Sequence, residues 1–271
     1  MQIVTLISDW NSSDYYIGAI KGRILSSCPG VMIVDVNHQI ASYNITQAAF
    51  VLKNTYQNFP KGTIHILSIN SETSKNKPHV LIKHDGHFFI GTDNGMFHLF
   101  MEGETESIIE LNSEKESTSF PELNVFARIA CEIINKKDIA KLGKEKKSLF
   151  KQLPILPAVE ESLIIGKVIY IDSYHNVITN VSKDLFEQVR KNRSFDIYVQ
   201  SKSNRISKIN SKYNETSMGE LLAVFNSAGH LEIAISNGKA SQLLNLTTNS
   251  SIRIEFNDNK NSKNDLQGKL F

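Results

Sequence analysis

Short apolar runs alternate with amphipathic stretches through the first half of the chain. Ile3–Ser8 is an apolar run closed by Asp9, which reads as a buried strand. Asp14 then stands in an N-cap position, and Tyr15–Ser27 repeats its apolar residues at helical spacing until Cys28-Pro29-Gly30 ends the helix. The alternation continues with a strand at 31–36, a helix at 45–56 that ends near Pro60, and a strand at 62–69. Two further runs, 80–83 and 87–90, meet through Asp85-Gly86 and predict a hairpin. After a polar loop at 112–119 comes an amphipathic helix at 124–135. Strands separated by helices predict an α/β domain over residues 1–150, with a mostly parallel sheet and helices on both faces.

The texture changes after a basic, proline-bearing connector at 136–157. Short strand-like runs follow at 163–171, 177–180, 194–200, 221–226, 230–236 and 251–256, and only 183–190 and 240–244 have helical spacing. Closely spaced strands predict an all-β, barrel-like domain over residues 151–271, with a polar, frayed tail at 257–269.

Composition narrows the function. With 41% hydrophobic and 21% charged residues the chain is globular, and a net charge of +2 gives no electrostatic case for nucleic acid or an anionic membrane. The lysine-rich run 136–151 reads as a solvated helix or linker. Cys28 and Cys131 fit small core residues, without metal-ligand spacing or a disulfide framework. No apolar run approaches the roughly 18 residues of a membrane helix. The first residues carry no signal-peptide pattern, so a cytoplasmic location is expected. No P-loop, glycine-rich dinucleotide turn, zinc motif or Ser-His-Asp arrangement stands out, and neither metal nor resident cofactor is implied.

Ligands of a parallel α/β sheet bind beyond the carboxyl ends of its strands. Three expected strands end there in polar residues: Asp9, the Asn37-His38 pair, and Asn70. A carboxylate at position 9 suits bidentate acceptance from two ribose hydroxyls, and it equally suits a loop cap bonded to the amides of Asn11 or Ser12. His38 is read first as a satisfied structural histidine.

Blocks spread along the chain carry a resemblance. They are Ile7-Ser8-Asp9 with Asp14, Tyr16, Gly18 and Lys21-Gly22; Val34-Asp35-Val36-Asn37-His38; Phe59-Pro60-Lys61-Gly62-Thr63-Ile64-His65; and Thr92-Asp93-Asn94-Gly95. In the second half follow Ile171-Asp172-Ser173-Tyr174-His175-Asn176 with Thr179-Asn180, then Asn226-Ser227-Ala228-Gly229-His230-Leu231-Glu232-Ile233-Ala234 with Asn237-Gly238. In this order they resemble the S-adenosylmethionine (SAM) hydroxide adenosyltransferase and halogenase family. The resemblance implies an α/β domain and a β-barrel domain assembled as a homotrimer. SAM, as substrate or ligand, lies between the first domain of one subunit and the second domain of its neighbour. It further implies that Asp9 holds the ribose hydroxyls and that Tyr43 packs near ribose and sulfonium. Asp172 and Asn176 meet the methionine amino and carboxylate ends, with Tyr174 in a phenylalanine position. Ser227 lines the adenine pocket with Tyr213 as stacking partner, and Thr73 counts among the ligand contacts. Tyr43 and Tyr213 retain the alternative of half-buried packing residues.

The family's hydrolytic members handle the attacking water with an aspartate, an arginine and a histidine, the aspartate opening an aspartate-proline-glycine-valine-glycine loop. This chain reads Asn70-Ser71-Glu72-Thr73-Ser74-Lys75-Asn76-Lys77 there. By position, Asn70 replaces the aspartate, Lys77 (or Lys75, if the loop slips) the arginine, and Pro121 the histidine. An amide takes no proton, proline offers nothing to a water, and lysine lacks the guanidinium fork. Glu122 stands where halogenating members carry serine or glycine, and a carboxylate there repels halide. Three readings stay open: a hydrolase whose base is relocated to Glu122, Glu72 or His79; a SAM or adenosine binding module without turnover; or a pocket for another nucleoside.

Overall fold

The computed structural model describes residues 2–112 and 119–257, so the expected tail and most of the 112–119 loop lie outside the described residues. The chain divides into two compact units, Met1–Pro154 and Ile155–Phe271.

The first unit is an α/β unit. Its seven-stranded sheet is built from β1 (Ile3–Ser8), β2 (Met32–Asn37), β3 (Ile64–Ser68), β4 (His79–His84), β5 (His87–Thr92), β6 (Ser107–Leu111) and β7 (Gly143–Glu145), in the order β2-β1-β3-β5-β4-β6-β7. The strands β2, β1, β3 and β5 run parallel, and β4, β6 and β7 extend the sheet antiparallel. Helices α1 (Tyr15–Ser27), α2 (Ile45–Lys53), α3 (Met96–Phe100) and α4 (Ala127–Ile134) cover it. Alternation along the strands divides the core. Val4, Leu6, Ile64 and Ile66 pack with Ile20 and Ile24 of α1 and Ile129 and Ala130 of α4. Ile7, Leu67, Val80, Ile82 and Phe89 pack on the other face with Ala48, Ala49 and Leu52 of α2 and Phe97 and Phe100 of α3.

Local chemistry explains the boundaries. Asp85 (φ 48°) and Gly86 (φ 73°) both adopt the left-handed conformation that a two-residue hairpin turn requires. Asn44 caps α2 by accepting from the Gln47 N–H, and the helix gives way to a 3-10 turn at Tyr56–Asn58. Asp14 takes the N-cap backbone conformation of α1 but makes no cap bond there; its carboxylate accepts from the Asn11 N–H instead.

The segment expected to be a connector is largely part of the α/β unit. Gly143 opens edge strand β7 against β6, where a Cβ would collide with the Glu110 carbonyl, so only glycine permits this approach. Asp93, fully buried, accepts from the Phe150 N–H with both oxygens at 2.9 and 3.1 Å and lies 3.5 Å from Lys146 Nζ. Cys28 and Cys131 are buried between α1 and α4, and burial pushes the Cys131 thiol up to about 12.

The second unit is a nearly closed, barrel-like antiparallel sheet. Its strands are β8 (Ala158–Glu160), β9 (Leu163–Ile171), β10 (Val177–Ser182), β11 (Ser194–Val199), β12 (Ser201–Ile206), β13 (Ile209–Asn210), β14 (Leu221–Phe225), β15 (His230–Ile235) and β16 (Ser251–Asn257). They run β12-β11-β16-β9-β10-β15-β14-β13, with β8 added on β9 and the short β13 parallel to β14. β12 also comes against β14, which brings the two edges together. Helices α5 (Lys183–Arg190) and α6 (Ala240–Leu243) attach to this sheet, and Phe186 of α5 plugs the core against Phe195, Phe225 and Phe256. Among the described residues no helix is long and apolar enough to cross a membrane.

Candidate functional site

At the carboxyl edge of the parallel strands, Asp9 gathers two loops onto one oxygen. Its Oδ2 accepts from the backbone N–H of Tyr43 at 2.9 Å and of Asn70 at 3.3 Å. Oδ1 has no partner among the described residues, which leaves it for a ligand. The loop-cap alternative is thus half realised, but with Tyr43 and Asn70 in place of Asn11 and Ser12. A buried polar chain fixes the strand end carrying Asp9: Ser8 Oγ meets His38 Nδ1 at 2.7 Å, and His38 Nε2 lies 3.1 Å from Asp35 Oδ1. Against its partial burial, Lys21 and His38 hold the Asp35 carboxyl below its ordinary range.

Asn70 sits at φ 48° and Tyr43 at φ 64°, left-handed conformations that asparagine tolerates and tyrosine resists. The Asn94 side chain pins the Asn70 turn by donating to the carbonyls of Ile69 (2.9 Å) and Asn70 (3.3 Å). The Tyr43 ring is 73% exposed, so it is not a packing residue within this chain.

Glu122 joins this group. It opens a π-helical turn, Glu122–Phe126, in which the Ala127 N–H reaches back to the Glu122 carbonyl before α4 begins. Such turns concentrate at functional sites. The Glu122 carboxylate is buried. Burial pushes its pKa up and Asp9 adds to the rise, against the lowering by Ser71. Trp10, Tyr16 and Phe120 form an aromatic cluster in which Phe120 meets both other rings edge-to-face, and Tyr16 also senses the Glu122 charge.

Other residues of the altered loop stand apart. Ser74 and Lys77 exchange backbone hydrogen bonds in a tight turn that leaves Thr73, Lys75 and Glu72 exposed. Lys77 Nζ lies 5.5 Å above the Phe150 ring, a cation–π contact. Pro121 immediately precedes the π turn. His79 is buried, with Nε2 2.9 Å from the Ser71 carbonyl.

In the second unit, Asp172 closes its own turn. Oδ1 accepts from the N–H groups of Tyr174 (3.0 Å) and Asn176 (2.7 Å), and Oδ2 from the Asn176 side chain at 3.1 Å. The Tyr174 ring is 77% exposed. Tyr213 Oη donates to Glu232 Oε1 at 2.7 Å, while Asn226 Nδ2 donates to Oε2 at 3.1 Å. Burial raises the Tyr213 pKa, and Glu232 and Asp172 push it the same way. Ser227 is exposed on the turn that Asn226 organises through bonds to Ala228 and His230. Ser71 and Glu232 escaped the sequence reading as functional groups. Glu232 had a signal, a carboxylate inside the apolar alternation of β15, whereas Ser71 had only its place beside Asn70.

A mixed α/β sheet with a carboxylate site at its strand ends, followed by a barrel with a polar turn cluster, defines a two-domain class. Its N-terminal part matches the SAM hydroxide adenosyltransferase N-terminal domain over residues 4–143 and its later part the corresponding C-terminal domain over 166–253. The chain belongs to the SAM hydroxide adenosyltransferase family. It is 29% identical to the (R)-S-adenosyl-L-methionine hydrolase of Methanocaldococcus jannaschii, covering 94% of this chain and 97% of that one. A fluorinase of an Actinoplanes species matches at 37% identity over only 62 residues, 23% of this chain and 21% of its own. A crystal structure of an uncharacterized conserved protein from Thermotoga maritima superposes with a TM-score of 0.82 at 25% identity, covering 94% of this chain and 99% of that one.

Proposed function

We propose that this protein binds SAM and transfers its adenosyl group to water, giving adenosine and methionine, with Glu122 as the base. Water attacks the ribose 5′ carbon, the carbon–sulfur bond breaks, and its electron pair returns to sulfur as neutral methionine departs. The water proton passes to Glu122 and then to solvent. The observation that carries this reading is the buried Glu122 carboxylate at the head of the π turn, its pKa raised by burial as suits a general base.

Family membership and the methanogen hydrolase support the substrate class. Asp9 Oδ1 is assigned to the ribose hydroxyls, and Asp172, Tyr174, Asn176, Tyr213 and Ser227 to the methionine and adenine ends. Because Asp9 belongs to one unit and these groups to the other, the proposal includes a homotrimer in which neighbouring subunits share each ligand. The Glu122 charge disfavours halide as nucleophile. The neutral amide of Asn70 favours one second reading, a SAM or adenosine binding module without turnover.

Calorimetric titration with SAM and with adenosine tests the binding claim. Saturable heats with SAM support it, and absence of binding by either compound removes both readings.

A further inference from the structure

A carboxylate stands inside the apolar run of β15. Glu232 is 3% exposed, among the buried Leu231, Ile233 and Ala234. Burying a carboxylate is costly unless its oxygens are hydrogen-bonded, and here each oxygen has a donor. Tyr213 Oη donates to Oε1 at 2.7 Å, and Asn226 Nδ2 donates to Oε2 at 3.1 Å. These donors come from separate segments. Tyr213 opens the 3-10 turn Tyr213–Glu215 ahead of β14, and Asn226 begins the turn between β14 and β15.

Because a carboxylate only accepts, it decides how both partners are turned. The Asn226 amide must present its nitrogen to Glu232, which leaves Oδ1 to accept from the N–H groups of Ala228 at 3.0 Å and His230 at 3.1 Å. A flipped amide would set oxygen against the carboxylate and nitrogen against two N–H donors, so it is disfavoured at both ends. Together with the Gly229 N–H on the Asn226 carbonyl at 2.9 Å, these bonds fix the turn that exposes Ser227. The Tyr213 hydroxyl must likewise donate, which pins the tip of a ring that is still 47% exposed. Without that anchor an exposed tyrosine samples several rotamers.

We propose that Glu232 is the positioning residue for the nucleobase end of the ligand, holding the Tyr213 ring and the Ser227 turn in the one arrangement that takes a flat purine. The nucleobase role rests on the assignment of Tyr213 and Ser227 proposed above; the fixing of the turn does not. Glu232 is covered by its own partners, so it acts through them, and the gain is a pre-organised slot.

The test joins calorimetric titration with adenosine and SAM to amide hydrogen exchange. Glu232→Leu removes both acceptors, so affinity for adenosine and SAM should fall alike, by about tenfold or more. The amides of Ala228 and His230 should exchange faster in it, while those of Ile252 and Ile254 in β16 keep their protection. Glu232→Gln should rescue both readouts to within about threefold of wild type, because its oxygen can accept from Asn226 while its nitrogen donates to the Tyr213 hydroxyl. Asn226→Ala, at a half-buried position, should repeat the losses and carries the test if Glu232→Leu does not fold. Wild-type affinity in folded Glu232→Leu or Asn226→Ala overturns the proposal, as does a Glu232→Gln variant that fails like Glu232→Leu. Wild type that binds neither compound overturns the SAM reading and the nucleobase role with it, and the exchange rates then decide the turn alone.

Discussion

The backbone N–H of Tyr43 donates to Asp9 Oδ2 at 2.9 Å while Tyr43 sits at φ 64°, a conformation bulky residues avoid. The carboxylate therefore shares in holding a strained loop, and strain of this kind clusters at ligand sites. With Oδ2 occupied by Tyr43 and Asn70, Oδ1 is the oxygen with no partner among the described residues.

Asp9→Asn and Asp9→Ala should consequently differ. The asparagine oxygen can still accept from Tyr43 and Asn70, so the loops stay ordered and SAM affinity falls about tenfold through loss of the charged acceptor. Alanine releases both loops as well, and affinity should fall roughly a hundredfold. Calorimetry on the two variants checks this. Equal affinity for wild type and both variants contradicts the ribose assignment.

Glu122→Gln should stabilise the protein at neutral pH. The folded-state pKa of Glu122 is raised, so the native state holds the proton more firmly than the unfolded chain and ionising it in place costs stability. That penalty is absent below the ordinary carboxyl range and is fully present above the raised native value. Thermal melts of wild type and Glu122→Gln should therefore separate as pH rises through this window, the variant melting higher, and should converge in acid.

Much of the fold was legible because its signals are local. The run Leu163–Ile171, the helix Lys183–Arg190 and the Asp85-Gly86 turn each fall where pattern and turn chemistry put them. The missed elements, α3, β6 and β7 in the first unit and β8, β12 and β13 in the second, are short or depend on distant partners: β7 is a strand only because Gly143 lets it approach Glu110. At the site, the position of Asp9 after β1 was readable, but its sharing between Tyr43 and Asn70 reaches 34 and 61 residues along the sequence. Ser71 was unreadable for the same reason.

His65 should make the protein acid-sensitive. Burial, with a smaller contribution from His87, holds its pKa down to about 3, and its Nδ1 lies 2.7 Å from Thr5 Oγ1. The native state refuses a proton that the unfolded chain accepts near pH 6.5, so stability falls as pH drops from about 6.5 toward 3. The loss is on the order of 4 kcal/mol at the acid end. Denaturant melts across this range should show the decline, and a His65→Gln variant should flatten it.

Tyr213→Phe should weaken the barrel unit. It removes the donor at 2.7 Å from Glu232 Oε1 and leaves a buried carboxylate oxygen unpaired, at a cost of about 1–3 kcal/mol. A lower denaturation midpoint reported by second-unit probes is expected. An unchanged midpoint assigns the bond no structural weight.

The most direct test of the central claim is incubation of purified protein with SAM, following adenosine and methionine by chromatography, for wild type beside Glu122→Gln. The account predicts adenosine and methionine in equal amounts, formed slowly and at a rate indifferent to chloride. Glu122→Gln should lower that rate by roughly 10²-fold or more while SAM affinity holds. Hydrolysis that proceeds undiminished in Glu122→Gln, or tight SAM binding with no product in wild type, would contradict it.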